Sequence, residues 1–107
     1  MDDDALFKAL ADMSRRTLLD RLHSTDGQTL AALCNGLAMS RQAVTKHLSI
    51  LAAANLIAVQ RHGRVKLHFI NPVPINAIAE RWIGKFDRPR LASLAQLKRT
   101  LEGETDE

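Results

Sequence analysis

The sequence has no tyrosine and only one cysteine, Cys34, among its 107 residues. A single thiol excludes an intramolecular disulfide and any site that takes two thiolates from one chain. Gly-rich phosphate loops, nucleophile signatures and carboxylate pairs in an apolar setting are also missing. We therefore expect no enzymatic activity and no cofactor.

Long hydrophobic runs are absent as well. The stretch 48–59 is interrupted by Ser49 and Asn55 and is too short to span a bilayer. Met1 is followed by three aspartates, whereas a secretory signal begins with basic residues. These features predict a cytoplasmic protein without a membrane partner.

Acidic residues are missing from the middle of the chain. All twelve lie outside positions 27–79, although the net charge of the whole chain is only +3. The acid-free segment, residues 27–79, carries five basic residues: Arg41, Lys46, Arg61, Arg64 and Lys66. Such a segment presents a positive surface to a polyanion, and double-stranded DNA is the partner it favours.

Hydrophobic periodicity and capping residues predict one domain over residues 1–107, mainly α-helical with a small β-hairpin. Apolar residues at helical spacing predict two short N-terminal helices, the second capped by Ser14. Thr29 is expected to cap a third helix and Ser40 a fourth that runs from Arg41 to Asn55. The short connection between the last two predicts a helix-turn-helix over about residues 29–55.

Alternating apolar residues predict a hairpin over about residues 57–70. Placing its apolar side chains on one face pairs Val59 with Leu67 and Ile57 with Phe69. The connection is then the three-residue turn 62–64. After Pro72 and Pro74, an apolar stripe continues at helical spacing through about residues 75–102, with a restart near Asp87 and Pro89. The expected total is five or six helices and a two-stranded wing.

The fourth predicted helix has one apolar face and one polar face. Side chains that can read base edges share its polar face, since Gln bonds adenine bidentately and Thr offers a hydroxyl and a methyl group. Ser40 and Arg41 lie at the N-terminus, which favours phosphate. His47 lies at the edge of the apolar face and is predicted to be structural. The candidate DNA-binding residues on helix and wing are Ser40, Arg41, Gln42, Thr45, Lys46, Ser49, His62, Arg64 and Lys66.

Four segments together resemble the ArsR/SmtB repressors, a winged helix-turn-helix family. They are residues 6–12 (LFKALAD), 14–16 (SRR), 40–48 (SRQAVTKHL) and 54–57 (ANLI), followed by the hairpin and a C-terminal helix. Their order and spacing match over nearly the whole chain. The resemblance implies a DNA-binding transcriptional regulator, an autorepressor acting on an inverted-repeat operator through a recognition helix (41–54) and a wing (61–66).

The resemblance also implies a homodimer that pairs first and last helices across a two-fold axis. The C-terminal apolar stripe fits this, because it is more apolar surface than a small chain can bury alone. The expected dimer interface comprises Leu6, Phe7, Leu10, Trp82, Ile83, Phe86, Leu91 and Leu94.

The metal ligands of the family's sensors are missing. Thr29 and Ala31 occupy the positions of two cysteines before the recognition helix, and residues 75–101 contain no His or Cys. We therefore expect no metal and assign the chain to the branch without metal sites.

Two alternative functions stay open: a winged-helix module that binds protein, and a metal- or redox-responsive repressor with a site between subunits. The sequence does not specify an inducer.

Overall fold

The structure, a computed structural model, describes residues 3–86 and 88–105, with side chains 84, 88–91, 104 and 105 left out. Asp87 lies outside the described residues. Within these ranges it contains six helices and one two-stranded antiparallel hairpin, the predicted winged helix-turn-helix. The elements are α1 (Asp3–Leu10), α2 (Met13–Ser24), α3 (Leu30–Cys34), α4 (Arg41–Ala53), β1 (Ile57–His62), β2 (Val65–Ile70), α5 (Val73–Lys85) and α6 (Arg88–Thr105).

The chain divides into two compact units, and the first of them ends at Pro74. The core of the first unit consists of apolar side chains from α1, α2, α3, α4 and the start of β1. Those buried most completely are Ala9, Leu18, Leu22, Leu33, Val44, Leu51 and Leu56. Leu6 is only 2% exposed and belongs to this core. The expected dimer surface must therefore omit Leu6, because its side chain is already covered within its own chain.

The start of α2 differs from the prediction. Asp12, not Ser14, is the N-cap, and its carboxylate accepts a hydrogen bond from the backbone N–H of Arg15 at 3.1 Å. Ser14 lies inside the first turn. Both residue types cap well, so the local sequence does not distinguish them.

The caps of the helix-turn-helix are as predicted. Thr29 Oγ1 accepts from the backbone N–H of Ala32 at 3.2 Å, and Ser40 Oγ accepts from that of Ala43 at 3.1 Å. Each side chain satisfies a backbone donor that has no partner within its helix. Ser40 thereby fixes where α4 begins, and with it the positions of the side chains on that helix.

Asn55 ends α4 in the left-handed conformation, with φ 62°. The N–H of Asn55 bonds the carbonyl of Ala52 at 3.0 Å, and the N–H of Leu56 bonds that of Leu51 at 2.9 Å. Leu51 and Leu56 are both fully buried. This pair of bonds with an apolar contact is a Schellman motif, and it directs the chain into β1.

The hairpin register differs from the prediction by one residue. Val59 pairs with His68 and Ile57 with Ile70, and the final pair, His62 with Val65, leaves a two-residue turn. Gly63 occupies the first turn position with φ 65°, as a type II′ turn requires. The expected apolar face is therefore split, because Leu67 and Phe69 point to the opposite side from Val59.

A hydrogen-bonded bridge to Gln28 explains this register. The backbones of Gln28 and His68 exchange two hydrogen bonds, of 3.1 and 2.8 Å. On the other face, Phe69 packs over Gly27, where an added Cβ would lie 3.0 Å from the ring. Both faces of β2 are thus partly covered, so its apolar residues need not share one side.

The second unit contains α6 and all but the first residues of α5. Trp82 and Phe86 stack with ring centroids 5.3 Å apart, and Lys85 Nζ lies 5.0 Å from the centre of the Trp82 ring. Large apolar side chains are exposed along both helices: Trp82, Ile83, Phe86, Leu94, Leu97 and Leu101. Leu91 lies in α6, and its side chain is outside the described residues.

Candidate nucleic-acid interface

One face of α4 presents polar and basic side chains to solvent. Val44, Leu48 and Leu51 fix its rotation, because they are buried against the core. All six candidate residues on the opposite side are exposed: Ser40, Arg41, Gln42, Thr45, Lys46 and Ser49. The structure therefore brings together on one surface the helix residues that the sequence singled out.

Two hydroxyl groups on this surface are already hydrogen-bonded. Thr45 Oγ1 donates to the carbonyl of Arg41 at 2.9 Å, and Ser40 Oγ accepts the capping bond. A ligand at Thr45 would thus meet the methyl group and a hydroxyl acceptor. The Ser40 hydroxyl keeps its proton for an incoming phosphate oxygen.

The hairpin carries its basic residues at two places. His62 and Arg64 lie at or next to the turn and are exposed. Arg61 pairs directly with Lys66 across the strands, which places two cations on one face. Like charges at opposed positions repel, and a bound anion relieves that repulsion.

This face is turned toward α4. The predicted register puts Lys66 on the outward face, opposite Val59, whereas the structure puts Lys66 and Val59 on the same face. Between α4 and the hairpin lies a cleft of ≈ 260 Å³, here named the α4–wing cleft. Its lining residues are Leu30 from α3, Thr45, Leu48, Ser49 and Ala52 from α4, and Val59, Lys66 and His68 from the hairpin. Thr45, Ser49 and Lys66, predicted on separate elements, thus border one space.

Arg15 connects α4 to the N-terminal helices. Its Nε donates to the carbonyl of Ala9 at 2.8 Å and its Nη2 to that of Lys8 at 3.1 Å. Its Nη1 lies 3.4 Å from Nδ1 of half-buried His47, which has the structural role predicted for it. Since a guanidinium only donates, Nδ1 of His47 is the acceptor.

The carboxylate of Asp12 belongs to the same group of side chains. The hydrogen bond from the Arg15 backbone N–H lowers the pKa of Asp12 below its ordinary value. The electrostatic effects of Arg15 and His47 and the Ser14 N–H act in the same direction, while partial desolvation opposes them. The hydrogen bond between Arg15 and His47 therefore ties α4 to the N-terminal helices, and Asp12 lies beside that bond.

In the described part of the chain, no three His, Cys, Asp or Glu side chains are placed to share an ion. Cys34 is a free, half-buried thiol. Within the same residues, no helix is long and apolar enough to cross a membrane.

Comparisons with known proteins agree with this geometry. A helix-turn-helix domain profile matches residues 10–60. The HTH-type transcriptional regulator YuzN of Bacillus subtilis is 37% identical over 86 residues, covering 75% of this chain and 94% of that protein. The HTH-type transcriptional regulator Rv2034 of Mycobacterium tuberculosis is 30% identical over 94 residues, covering 88% and 86%. A solved ArsR-like transcriptional regulator from Rhodococcus sp. RHA1 is 33% identical, with a TM-score of 0.69 over 88% of this chain and 90% of its own.

The chain belongs to the ArsR family of helix-turn-helix transcriptional regulators. This ArsR-family protein is a DNA-binding transcriptional regulator, as the sequence predicted. The family is one of regulators, which are typically not enzymes.

Two residues near the interface were missed by the sequence analysis of this regulator. Arg61 and His68 both lie on the cleft face of the hairpin, and their positions depend on the register. The signal that could have revealed His68 is the even spacing of Lys66, His68 and Ile70, which assigns His68 and Lys66 to one face.

Proposed function

We propose that this ArsR-family regulator is a cytoplasmic homodimeric repressor of its own operon that binds an inverted-repeat operator. The exposed polar face of α4 enters the major groove, and the hairpin follows the adjacent backbone. The candidate contacts remain Ser40, Arg41, Gln42, Thr45, Lys46, Ser49, His62, Arg64 and Lys66, to which we add Arg61.

The exposed α4 surface is the main observation that supports this proposal. It combines a capped helix N-terminus, which attracts phosphate, with Gln42 and Thr45, whose side chains suit base edges. It also lies within the acid-free segment, so no carboxylate of that segment opposes the DNA backbone. The cross-strand pair of Arg61 and Lys66 supplies paired cations for a phosphate.

The dimer is supported by exposed apolar side chains at both ends of the chain. Phe7 on α1 is 47% exposed, and Phe86 and Leu94 in the second unit are 50% and 62% exposed. Exposed apolar groups of this size are rarely left to water in a monomer. The proposed interface is Phe7, Leu10, Trp82, Ile83, Phe86, Leu91 and Leu94. Two recognition helices would then meet half-sites roughly 34–36 Å apart.

Neither a cofactor nor a resident metal is part of this proposal. Hydrogen bonds, ion pairs and phosphate charge are sufficient for the binding step. The proposal also involves no catalytic step.

Fluorescence anisotropy with a duplex from the protein's own promoter and a scrambled duplex tests this function. Measured at several salt concentrations, promoter affinity should exceed scrambled affinity by about a thousandfold and fall steeply with salt. Equal and weak binding to both duplexes, and to duplexes selected from random DNA, would contradict sequence-specific recognition. Absence of DNA binding would favour the protein-interaction alternative.

A further inference from the structure

The α4–wing cleft contains a polar group that the DNA-binding proposal does not use. His68 is 7% exposed and is the buried polar residue of the described core. Its Nδ1 lies 2.9 Å from the carbonyl oxygen of Gln28. A carbonyl only accepts, so Nδ1 carries the proton and Nε2 of the neutral ring is an acceptor.

The second nitrogen of His68 is available to a ligand. Nε2 has no hydrogen-bond partner among the described residues. In the same residues, every side-chain nitrogen or oxygen that is shut off from solvent has a partner. Nε2 is therefore accessible, and the cleft is the space that the His68 side chain lines. An accessible acceptor without a protein partner, on a side chain that is otherwise buried, can take a hydrogen bond from a ligand.

The rest of the cleft defines the ligand's other properties. Leu48 and Val59 supply apolar walls, and exposed Lys66 supplies a cation to the lining. Every lining residue comes from the acid-free segment, so the charge at this site is positive. The volume of ≈ 260 Å³ lies below the roughly 300–1,000 Å³ of drug-sized pockets, which suits a single ring.

We propose that the α4–wing cleft binds a small aromatic carboxylic acid that carries a hydroxyl group at its far end. Lys66 pairs with the carboxylate, and His68 Nε2 accepts a hydrogen bond from the hydroxyl group. Residues two apart on a strand are separated by about 6.6 Å, similar to the distance between para substituents of one ring. The ring itself lies between Leu48 and Val59.

Occupation of this cleft also has a regulatory consequence, which rests on the proposed function. Thr45, Ser49 and Lys66 line the cleft and belong to the proposed DNA contacts. A ligand there covers these side chains and neutralises Lys66, so it lowers operator affinity. The cleft is thus the site of a small-molecule inducer.

Titration of the ¹⁵N-labelled full chain with 4-hydroxybenzoate, followed by NMR, tests the site without DNA. The wild-type protein should show saturable shifts centred on the cleft. Ala52→Leu fills the cleft from exposed α4, and Lys66→Gln removes its cation, so each should weaken binding about tenfold or more. Ala53→Leu and Arg64→Gln make the same changes at exposed positions outside the lining and should bind as the wild type does.

Absence of saturable shifts in the wild-type protein, or unchanged binding by Ala52→Leu and Lys66→Gln, would overturn the proposal. Because this titration contains no DNA, its result does not depend on whether the protein binds an operator.

A second titration, of the protein–promoter complex, tests the regulatory consequence. The acid should lower promoter affinity of the wild type about tenfold and leave that of Ala52→Leu unchanged. Equal release from both proteins would contradict the regulatory role of the cleft.

Discussion

Arg15 Nη1 lies 3.4 Å from Nδ1 of His47, so one guanidinium joins α2 to α4, the helix that carries the candidate DNA contacts. The same group donates to the carbonyls of Ala9 and Lys8 at the end of α1. The Arg15 side chain therefore holds α1, α2 and α4 together through hydrogen-bond donors that an aliphatic side chain cannot replace.

Arg15→Met is expected to destabilise the fold. It keeps the length of the side chain but leaves the carbonyl of buried Ala9 without its Arg15 donor, which costs roughly 1–3 kcal/mol. Urea denaturation gives the free energy of unfolding. Arg16→Met is the matched control: exposed Arg16 bonds the carbonyl of Leu10, and its replacement should cost about 0.5 kcal/mol or less. Equal losses of unfolding free energy in both variants would show that the Arg15 contacts stabilise the fold no more than those of Arg16.

Asp12 predicts a pH-dependent stability. Its pKa is lowered in the folded state, chiefly by the Arg15 backbone N–H, so its carboxylate stabilises the fold above the unfolded-state pKa. This contribution is lost as pH falls through the lower folded-state pKa. Asp12→Asn keeps a capping oxygen but removes the charge. The urea midpoint of wild type should exceed that of Asp12→Asn at about pH 7, and the gap should close below about pH 4. A gap that stays constant over this range would contradict the assignment.

The left-handed Asn55 predicts opposite effects for two substitutions. Asn55→Ala forces a Cβ into this conformation and should cost roughly 1–2 kcal/mol. Asn55→Gly meets no such penalty and should leave thermal stability within about 0.5 kcal/mol of wild type. Calorimetry of both variants compares them directly. If Asn55→Gly were the less stable variant, conformation would not be the reason for asparagine here.

Leu94 tests the proposed dimer. Leu94→Asp places an unpaired charge in the interface, which costs roughly 3–5 kcal/mol when buried, so analytical ultracentrifugation should show monomers. Met13→Asp makes the same change on α2, where Met13 is 72% exposed and outside the proposed interface, and should stay dimeric. Dimers of unchanged affinity in Leu94→Asp would remove Leu94 from the interface.

The features that depend on short stretches of sequence could be predicted. Caps at Thr29 and Ser40 and the left-handed Asn55 each follow from one residue type at the end of a helix. The polar face of α4 follows from its periodicity. These features place six of the candidate contacts on one exposed surface.

The hairpin register could not be predicted from alternation alone. It depends on Gln28, whose backbone bonds His68 across forty positions of sequence, and no local pattern contains that contact. Phe69 also packs over Gly27, on the face of the hairpin that was expected to face solvent. The misassigned register concealed the pairing of Arg61 with Lys66 and the burial of His68.

Gln42 provides the most direct test of the central claim, that exposed α4 side chains read DNA sequence. Binding of wild type, Gln42→Ala and Arg41→Ala should be compared over a set of operators with every single base-pair change. Gln42→Ala should lose about 1–3 kcal/mol of discrimination at one position of each half-site and keep it elsewhere. Arg41→Ala should weaken binding to all operators by a similar factor and reduce the salt dependence. Unchanged base preference in Gln42→Ala, at every position, would contradict the assignment of α4 as the recognition helix.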